Sequence, residues 1–324
     1  MTLLESINKL VDNVNITDRQ EENIKNSLSN LETHLKNTEN KLYVKECFTS
    51  GSWERDTIIR PLNDVDLFAV LDFEEWKDEY GNKPNPQSVL TKIKNYLNDQ
   101  NDYKDKVKQD RPCVTIHLSD KDFDVLPSFE ISGGGYYIPN HDLKSWTTSY
   151  PKMLAKDLDD THRLRDYKLK QIIRVVKYWN RDFNGKTIPS YHIEEIAINI
   201  FKMNTFTNFE EGIRKWFENV EYNMQSNKFK SNDEYESSLK KAKKVKDKLK
   251  EANKFYTDKN EVEAKKIWKE VFGKEFPTVD EEEAKNISKS LTEGTLKYSS
   301  TAGISTAVGS SLSASKGFYG DEVL

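Results

Sequence analysis

Gly51-Ser52 is followed, after residues 53–63, by Asp64-Val65-Asp66. The two aspartates open an apolar run, Leu67-Phe68-Ala69-Val70-Leu71, that reads as a strand. Alternate residues of a strand share a face, so Asp64 and Asp66 point the same way. Carboxylates held that close repel each other. A bound divalent cation relieves the repulsion, and carboxylate oxygens suit Mg²⁺. A third acid in a similar setting is Asp124, within Phe123-Asp124-Val125-Leu126-Pro127. Asp122 shares its strand face, but apolar neighbours flank Asp124 more closely, and Asp124 is the preferred third acid. Gly51-Ser52 lies between a predicted strand and a short predicted helix, where backbone N–H groups and a serine hydroxyl can hold phosphate. Alone, each feature has a plainer reading: Gly-Ser as a helix cap, Asp-x-Asp as a solvent-facing strand. In combination they point to metal-dependent nucleotidyl transfer.

The elements that must position these residues follow from periodicity. Leu3, Leu4, Ile7, Leu10 and Val11 repeat as a helix, and Thr17-Asp18-Arg19-Gln20 is a capping box opening a longer one through Ile24, Leu28, Leu31 and Leu35. Residues 42–49 form a strand leading into Gly51-Ser52. Val89, Ile93, Tyr96 and Leu97 mark a helix, and Val114, Ile116 and Leu118 alternate as a strand. Ser119-Asp120-Lys121 turns the chain back into a hairpin partner over residues 122–129. After Ser132-Gly133-Gly134-Gly135, a flexible connector, the pattern becomes helical. Helices are predicted over 165–180, around Ile193 to Phe201, and through the charged stretch 234–272. The fold expected is α+β: a mixed-sheet catalytic lobe with N-terminal helices over residues 1–150, a helical lobe over 151–295, and a flexible Ser/Thr/Gly/Ala-rich tail over 296–324.

Composition narrows the setting. Of 324 residues, 32% are charged, the net charge is −4, and mean hydropathy is −0.82. The apolar runs are far shorter than a membrane span, and no signal-peptide pattern opens the chain. Cys47 and Cys113 are too few for a disulfide framework or a zinc site, so a reducing cytoplasm is the simplest setting. An acidic balance argues against broad non-specific nucleic-acid binding. It also means that a bound triphosphate needs metal and specific cations.

The pattern Gly51-Ser52, Asp64-Val65-Asp66 and Asp124-Val125-Leu126-Pro127 resembles the DNA polymerase β nucleotidyltransferase superfamily. More narrowly, the chain is similar to the bacterial CD-NTases of CBASS anti-phage systems, relatives of animal cyclic GMP-AMP synthase and oligoadenylate synthetase. Four further segments resemble that family: Tyr137-Ile138-Pro139-Asn140 with Trp146 and Pro151, its linker across the cleft; Val175-Val176-Lys177-Tyr178-Trp179-Asn180, its phosphate-contacting helix; Ser190-Tyr191-His192-Ile193-Glu194, the start of its buried helix; and Ile267-Trp268 to Phe276-Pro277, its closing helix. The likeness covers about residues 15–280. The chain lacks the Cys/His zinc insertion of the animal enzyme.

The resemblance implies roles. Asp64 and Asp66 would hold two Mg²⁺ ions, replaceable by Mn²⁺, with Asp124 completing the first. Gly51, Ser52, Lys177 and Ser190 would grip the donor's phosphates, and Tyr191 could stack on a base; the plainer readings are a solvated Lys177 and a core Tyr191. The product would be a cyclic di- or trinucleotide made from NTPs, ATP or GTP foremost, that switches on a separate effector protein. Two alternatives stay open: transfer of a nucleotide to a protein or RNA end, and an inert nucleotide-binding scaffold. The lysine run over residues 240–250 is a solvated helix face or an RNA-binding surface that activates the enzyme. Residues 318–324 read as a disordered end.

Overall fold

A computed structural model describes residues 1–62, 64–110, 112–277, 289–299, 303–305 and 309–312. In chain order the elements begin with α1 (Leu3–Val14), α2 (Asp18–Leu35), β1 (Val44–Ser50), α3 (Gly51–Glu54), β2 (Asp64–Leu71), α4 (Phe73–Trp76) and α5 (Pro86–Asn98). The strands β3 (Val107–Asp110), β4 (Cys113–His117), β5 (Asp122–Ile131), β6 (Gly135–Pro139) and β7 (Trp146–Ser149) come next. Then follow α6 (Pro151–Leu164), α7 (Leu169–Asp182), α8 (Ser190–Met203), α9 (Phe209–Asn223), α10 (Asn232–Thr257) and α11 (Glu261–Phe272). Thr2–Phe276 form one compact unit.

The sheet runs β1-β2-β5-β4-β3, with β6 paired to β5 and β7 to β6. β2 and β5 are parallel, while β1–β2, β4–β5 and β3–β4 are antiparallel. Period-two alternation splits each central strand between two faces. Val65, Leu67, Ala69 and Leu71 of β2 join Phe123, Val125 and Phe129 of β5 in a core covered by the apolar stripes of α2 and α5. The aspartates occupy the intervening positions and so lie on the opposite face. The predicted Thr17–Gln20 capping box forms: each backbone N–H donates to the other residue's side chain, at 3.0 and 3.3 Å.

The second core is helical. α7 lies at its centre, with ten buried residues from Leu169 to Asn180. α8, α9, α10 and α11 pack around it through residues such as Phe201, Trp216, Leu249 and Trp268. α1, grouped by sequence with the sheet lobe, instead packs Leu3, Ile7, Leu10, Val11 and Val14 into this helical core. The helix predicted over 165–180 begins only at Leu169, because Asp166 and Tyr167 adopt positive φ (49° and 57°), which an α-helix cannot continue through. The stretch 234–272 read as helical is two helices, divided at Lys259 (φ 61°), where Asn260 caps α11.

Within residues 277–324, β8 (Lys297–Ser299), β9 (Gly303–Ser305) and β10 (Ser310–Ser311) pair antiparallel in the order β10-β8-β9. These strands are a difference from the flexible tail read over 296–324. The disordered end read over 318–324 lies outside the described residues. No helix among the described residues is long and apolar enough to cross a membrane.

Candidate active site

One row across the sheet brings the candidate residues together. Ser50 of β1 is opposite Asp66 of β2, Asp66 opposite Asp124 of β5, and Asp124 opposite Thr115 of β4. Asp64, two residues before Asp66, shares that face. Oxygens from Asp64, Asp66 and Asp124 all lie within 4.8 Å of one another. Asp122 is one of the alternatives weighed from sequence, and it is engaged elsewhere: its Oδ2 lies 3.1 Å from His117 Nδ1.

The environment penalises charge on these acids. Burial, followed by the neighbouring charges of Asp64 and Asp124, pushes the Asp66 carboxyl up to about 6. Burial also raises Asp124, although Thr115 Oγ1 donates to its Oδ1 at 2.6 Å. Cys113, two positions before Thr115, is half-buried, and burial pushes its thiol well above the ordinary range. Three crowded, partly desolvated carboxylates make a donor set that fits a divalent cation.

The turn before β2 is fitted against this triad. Gly51 has φ +68°, and a Cβ there would stand 1.7 Å from Asp66 Oδ2. Glycine at this position is thus required twice, by backbone conformation and by contact. Ser52, Lys177 and Ser190, on α3, α7 and the start of α8, line one small cavity together with Thr57, Arg181 and Lys186. Tyr191 is 41% exposed, with Lys228 Nζ 5.4 Å from its ring centroid, and is not among the residues lining that cavity. A second cavity, about 410 Å³ and within the usual size of small-molecule sites, is lined by Asp64, Asp124, Thr115, Asp122 and Lys186 among others.

Lys177 differs from its plainer reading as a solvated lysine. The central place of α7 buries it, and a buried cation needs partners. Its Nζ donates to Glu194 Oε1 at 2.6 Å and Thr57 Oγ1 at 2.8 Å. Arg55 Nε donates to Glu194 Oε2, and Thr57 Oγ1 to Glu194 Oε1, both at 2.5 Å. Burial works to raise the Glu194 pKa, but the charges of Lys177 and Arg55 outweigh it and hold the carboxyl below its ordinary value. This network ties the segment after α3 to α7 and α8. A similar pair, Arg174 to Asp56 Oδ1 at 2.5 Å, lies one helical turn away.

Sequence reasoning gave no role to Arg55, Thr57, Thr115, Lys186 or Glu194. Two of them carried a signal. Thr115 is a polar residue inside the alternation Val114-Thr115-Ile116, and Glu194 is an acid on a nearly all-apolar helix face. The Gly133–Gly134 turn closes the β5–β6 hairpin. The lysine run on α10 is partly neutralised: Lys243 and Lys246 pair with Glu221 at 2.7 and 3.8 Å, and Lys248 pairs with Glu270. These contacts favour a helix face tied to α9 and α11.

Residues 1–161 match the family described as the second messenger oligonucleotide or dinucleotide synthetase domain. A probable cyclic nucleotide synthase of Bacillus cereus (strain VD146) is 28% identical over 293 residues, covering 77% of this chain and 88% of that protein. Among solved structures, CdnC of E. coli MS115-1 with ATP has a TM-score of 0.66 at 17% identity, covering 85% of this chain and 99% of CdnC. The Bradyrhizobium diazoefficiens CD-NTase CdnG in complex with GTP has a TM-score of 0.62 at 12% identity, covering 83% and 94%. The α+β polymerase β-like fold read from the sequence is therefore the fold observed. The synthetase-domain match spans the stretch that carries all three acids, and the later residues complete the fold shared with CdnC and CdnG.

Proposed function

We propose that the protein joins NTPs into a cyclic di- or trinucleotide and releases pyrophosphate. The observation that carries this reading is the convergence of Asp64, Asp66 and Asp124 oxygens within 4.8 Å on paired strands of this fold. Asp64 and Asp66 would hold two Mg²⁺ ions, or Mn²⁺ in their place, with Asp124 completing the first. Such ions lower the pKa of the acceptor hydroxyl and stabilise the attacking and leaving oxygens of in-line displacement at the α-phosphate.

The chain's own groups do the remaining work. Thr115 fixes one oxygen of Asp124 and so orients the other. The hydroxyls of Ser52 and Ser190 face a shared cavity and supply donors for the β- and γ-phosphates. Lys177 uses two contacts on Glu194 and Thr57, and its remaining N–H can serve the same cavity. Gly51 lets the backbone approach the acids. The exposed ring of Tyr191, with Lys228 beside it, offers a base a stacking surface.

ATP and GTP are the substrates to try first, since the similar CdnC and CdnG bind them in their solved structures. The family resemblance supports a cytoplasmic role in anti-phage defence, with the product acting on a separate effector. RNA activation through residues 240–250 is the weaker part of the reading, because carboxylates already engage several of those lysines.

The test is incubation with Mg²⁺ and α-labelled ATP, GTP, CTP and UTP, followed by phosphatase. A phosphatase-resistant small product is expected from the wild type and not from an Asp64→Asn/Asp66→Asn double variant. Label on a macromolecule instead would replace this function by nucleotide transfer to protein or RNA. No product with or without added structured RNA would count against synthesis altogether.

A further inference from the structure

We propose that Lys186 is a substrate-contacting residue that binds the triphosphate of the donor nucleotide, bridging the cavity of Ser52 and Ser190 to that of Asp64 and Asp124. The inference rests on the nucleotidyltransferase reading above. Lys186 lines both cavities. Three carboxylates and a triphosphate carry more negative charge than two divalent cations neutralise, and a further cation beside the triphosphate would offset the remainder.

The other cations of the two cavities are already engaged. Lys177 is held by Glu194 and Thr57. Arg181 donates to Asp182 Oδ1 at 2.6 Å and to the Arg60 carbonyl at 2.8 Å. Lys121 is 2.9 Å from Asp120. Among the described residues, Lys186 makes no side-chain hydrogen bond or ion pair, and its side chain is exposed.

The turn that carries Lys186 is fixed, so an ordering cost on binding is reduced. Lys186 N–H donates to the Asn180 carbonyl at 2.7 Å, and Ile188 N–H to Asn180 Oδ1 at 3.1 Å. Asn180 Nδ2 returns a bond to the Ile188 carbonyl at 2.8 Å. Asn184, Thr187 and Ser238 close a second, buried set of hydrogen bonds beneath the turn. Lys186 itself holds φ +57°, a conformation that costs a lysine and suits glycine.

That strain supplies the variant. Lys186→Gly removes the ammonium and relieves the backbone, and Lys186→Gln removes the charge with the side chain retained. Calorimetry with Mg²⁺ would compare ATP carrying an α,β-methylene bridge with AMP. Both variants are expected to bind the triphosphate about tenfold more weakly. AMP affinity should stay at the wild-type value in both variants, melting temperature should hold in Lys186→Gln and rise slightly in Lys186→Gly, and Lys186→Arg should restore most of the loss. Wild-type triphosphate affinity in both variants would overturn the assignment. So would an equal loss for AMP and the triphosphate, which would mark a structural role. Absence of triphosphate binding by the wild type would instead overturn the nucleotidyltransferase reading, and this proposal with it.

Discussion

Gly51 and Asp66 are packed so closely that no other residue fits at position 51: a Cβ would lie 1.7 Å from Asp66 Oδ2. The turn that carries Gly51-Ser52 and the strand that carries Asp64 and Asp66 are therefore one fitted unit. Gly51→Ala must displace either Asp66 or the turn, and its φ of +68° adds backbone strain. Displacements near 1 Å cost about 100-fold in rate. Nucleotidyl transfer by Gly51→Ala is expected to fall by about that factor, measured as initial rate at saturating Mg²⁺. A rate within twofold of wild type would show that the fit is not used.

Asp66 makes stability, and the proposed metal affinity, depend on pH together. Its folded pKa of about 6 lies above the ordinary 3.8. The stabilisation from protonated Asp66 is complete below pH 4 and is lost as pH rises through 6. Keeping Asp66 charged at pH 7 costs the metal-free fold about 3 kcal/mol. Mg²⁺ should remove much of that cost. The gain in melting temperature on adding Mg²⁺ is therefore expected to be larger at pH 7.5 than at pH 5. Equal gains at both pH values would contradict the buried, crowded site.

Thr115 acts on Asp124 through a single 2.6 Å hydrogen bond. Thr115→Val keeps the shape and removes the donor. Outer hydrogen-bond partners of metal ligands are worth about 10- to 100-fold in metal affinity. The half-saturating Mg²⁺ concentration for turnover is expected to rise at least tenfold, with little change in kcat at saturating metal. An unchanged Mg²⁺ titration would remove Thr115 from the site.

Glu194 neutralises two buried cations, Arg55 and Lys177. Glu194→Gln leaves both without their counter-charge, and breaking a buried pair costs about 3–5 kcal/mol. The melting temperature is expected to drop by roughly 10 °C for a unit of this size. A melting temperature unchanged within 2 °C would mean that the network is solvated and holds nothing.

The legible and illegible parts of the site divide along a physical line. Asp64, Asp66 and Asp124 could be read because period-two alternation fixes a face locally, and β2–β5 pairing then brings Asp66 opposite Asp124. The division into a mixed-sheet half and a helical half followed from the same periodicities. Lys177 could be placed on its helix but not in its surroundings. Its burial depends on α7 becoming the centre of the helical core, which is a property of seven helices together. Thr115 acts across a strand pair and Lys186 across two cavities, relations that no local pattern carries. The break at Asp166 and Tyr167 was hidden because a tyrosine does not announce positive φ and an aspartate adopts it at only a minority of positions.

The most direct measurement is an anomalous difference map from crystals grown with Mn²⁺ and α,β-methylene ATP. Peaks coordinated by Asp64, Asp66 and Asp124 are expected, with the triphosphate running toward Ser52 and Ser190. A triphosphate bound elsewhere, or carboxylates without Mn²⁺ at saturating concentration, would contradict metal-dependent nucleotidyl transfer at this site.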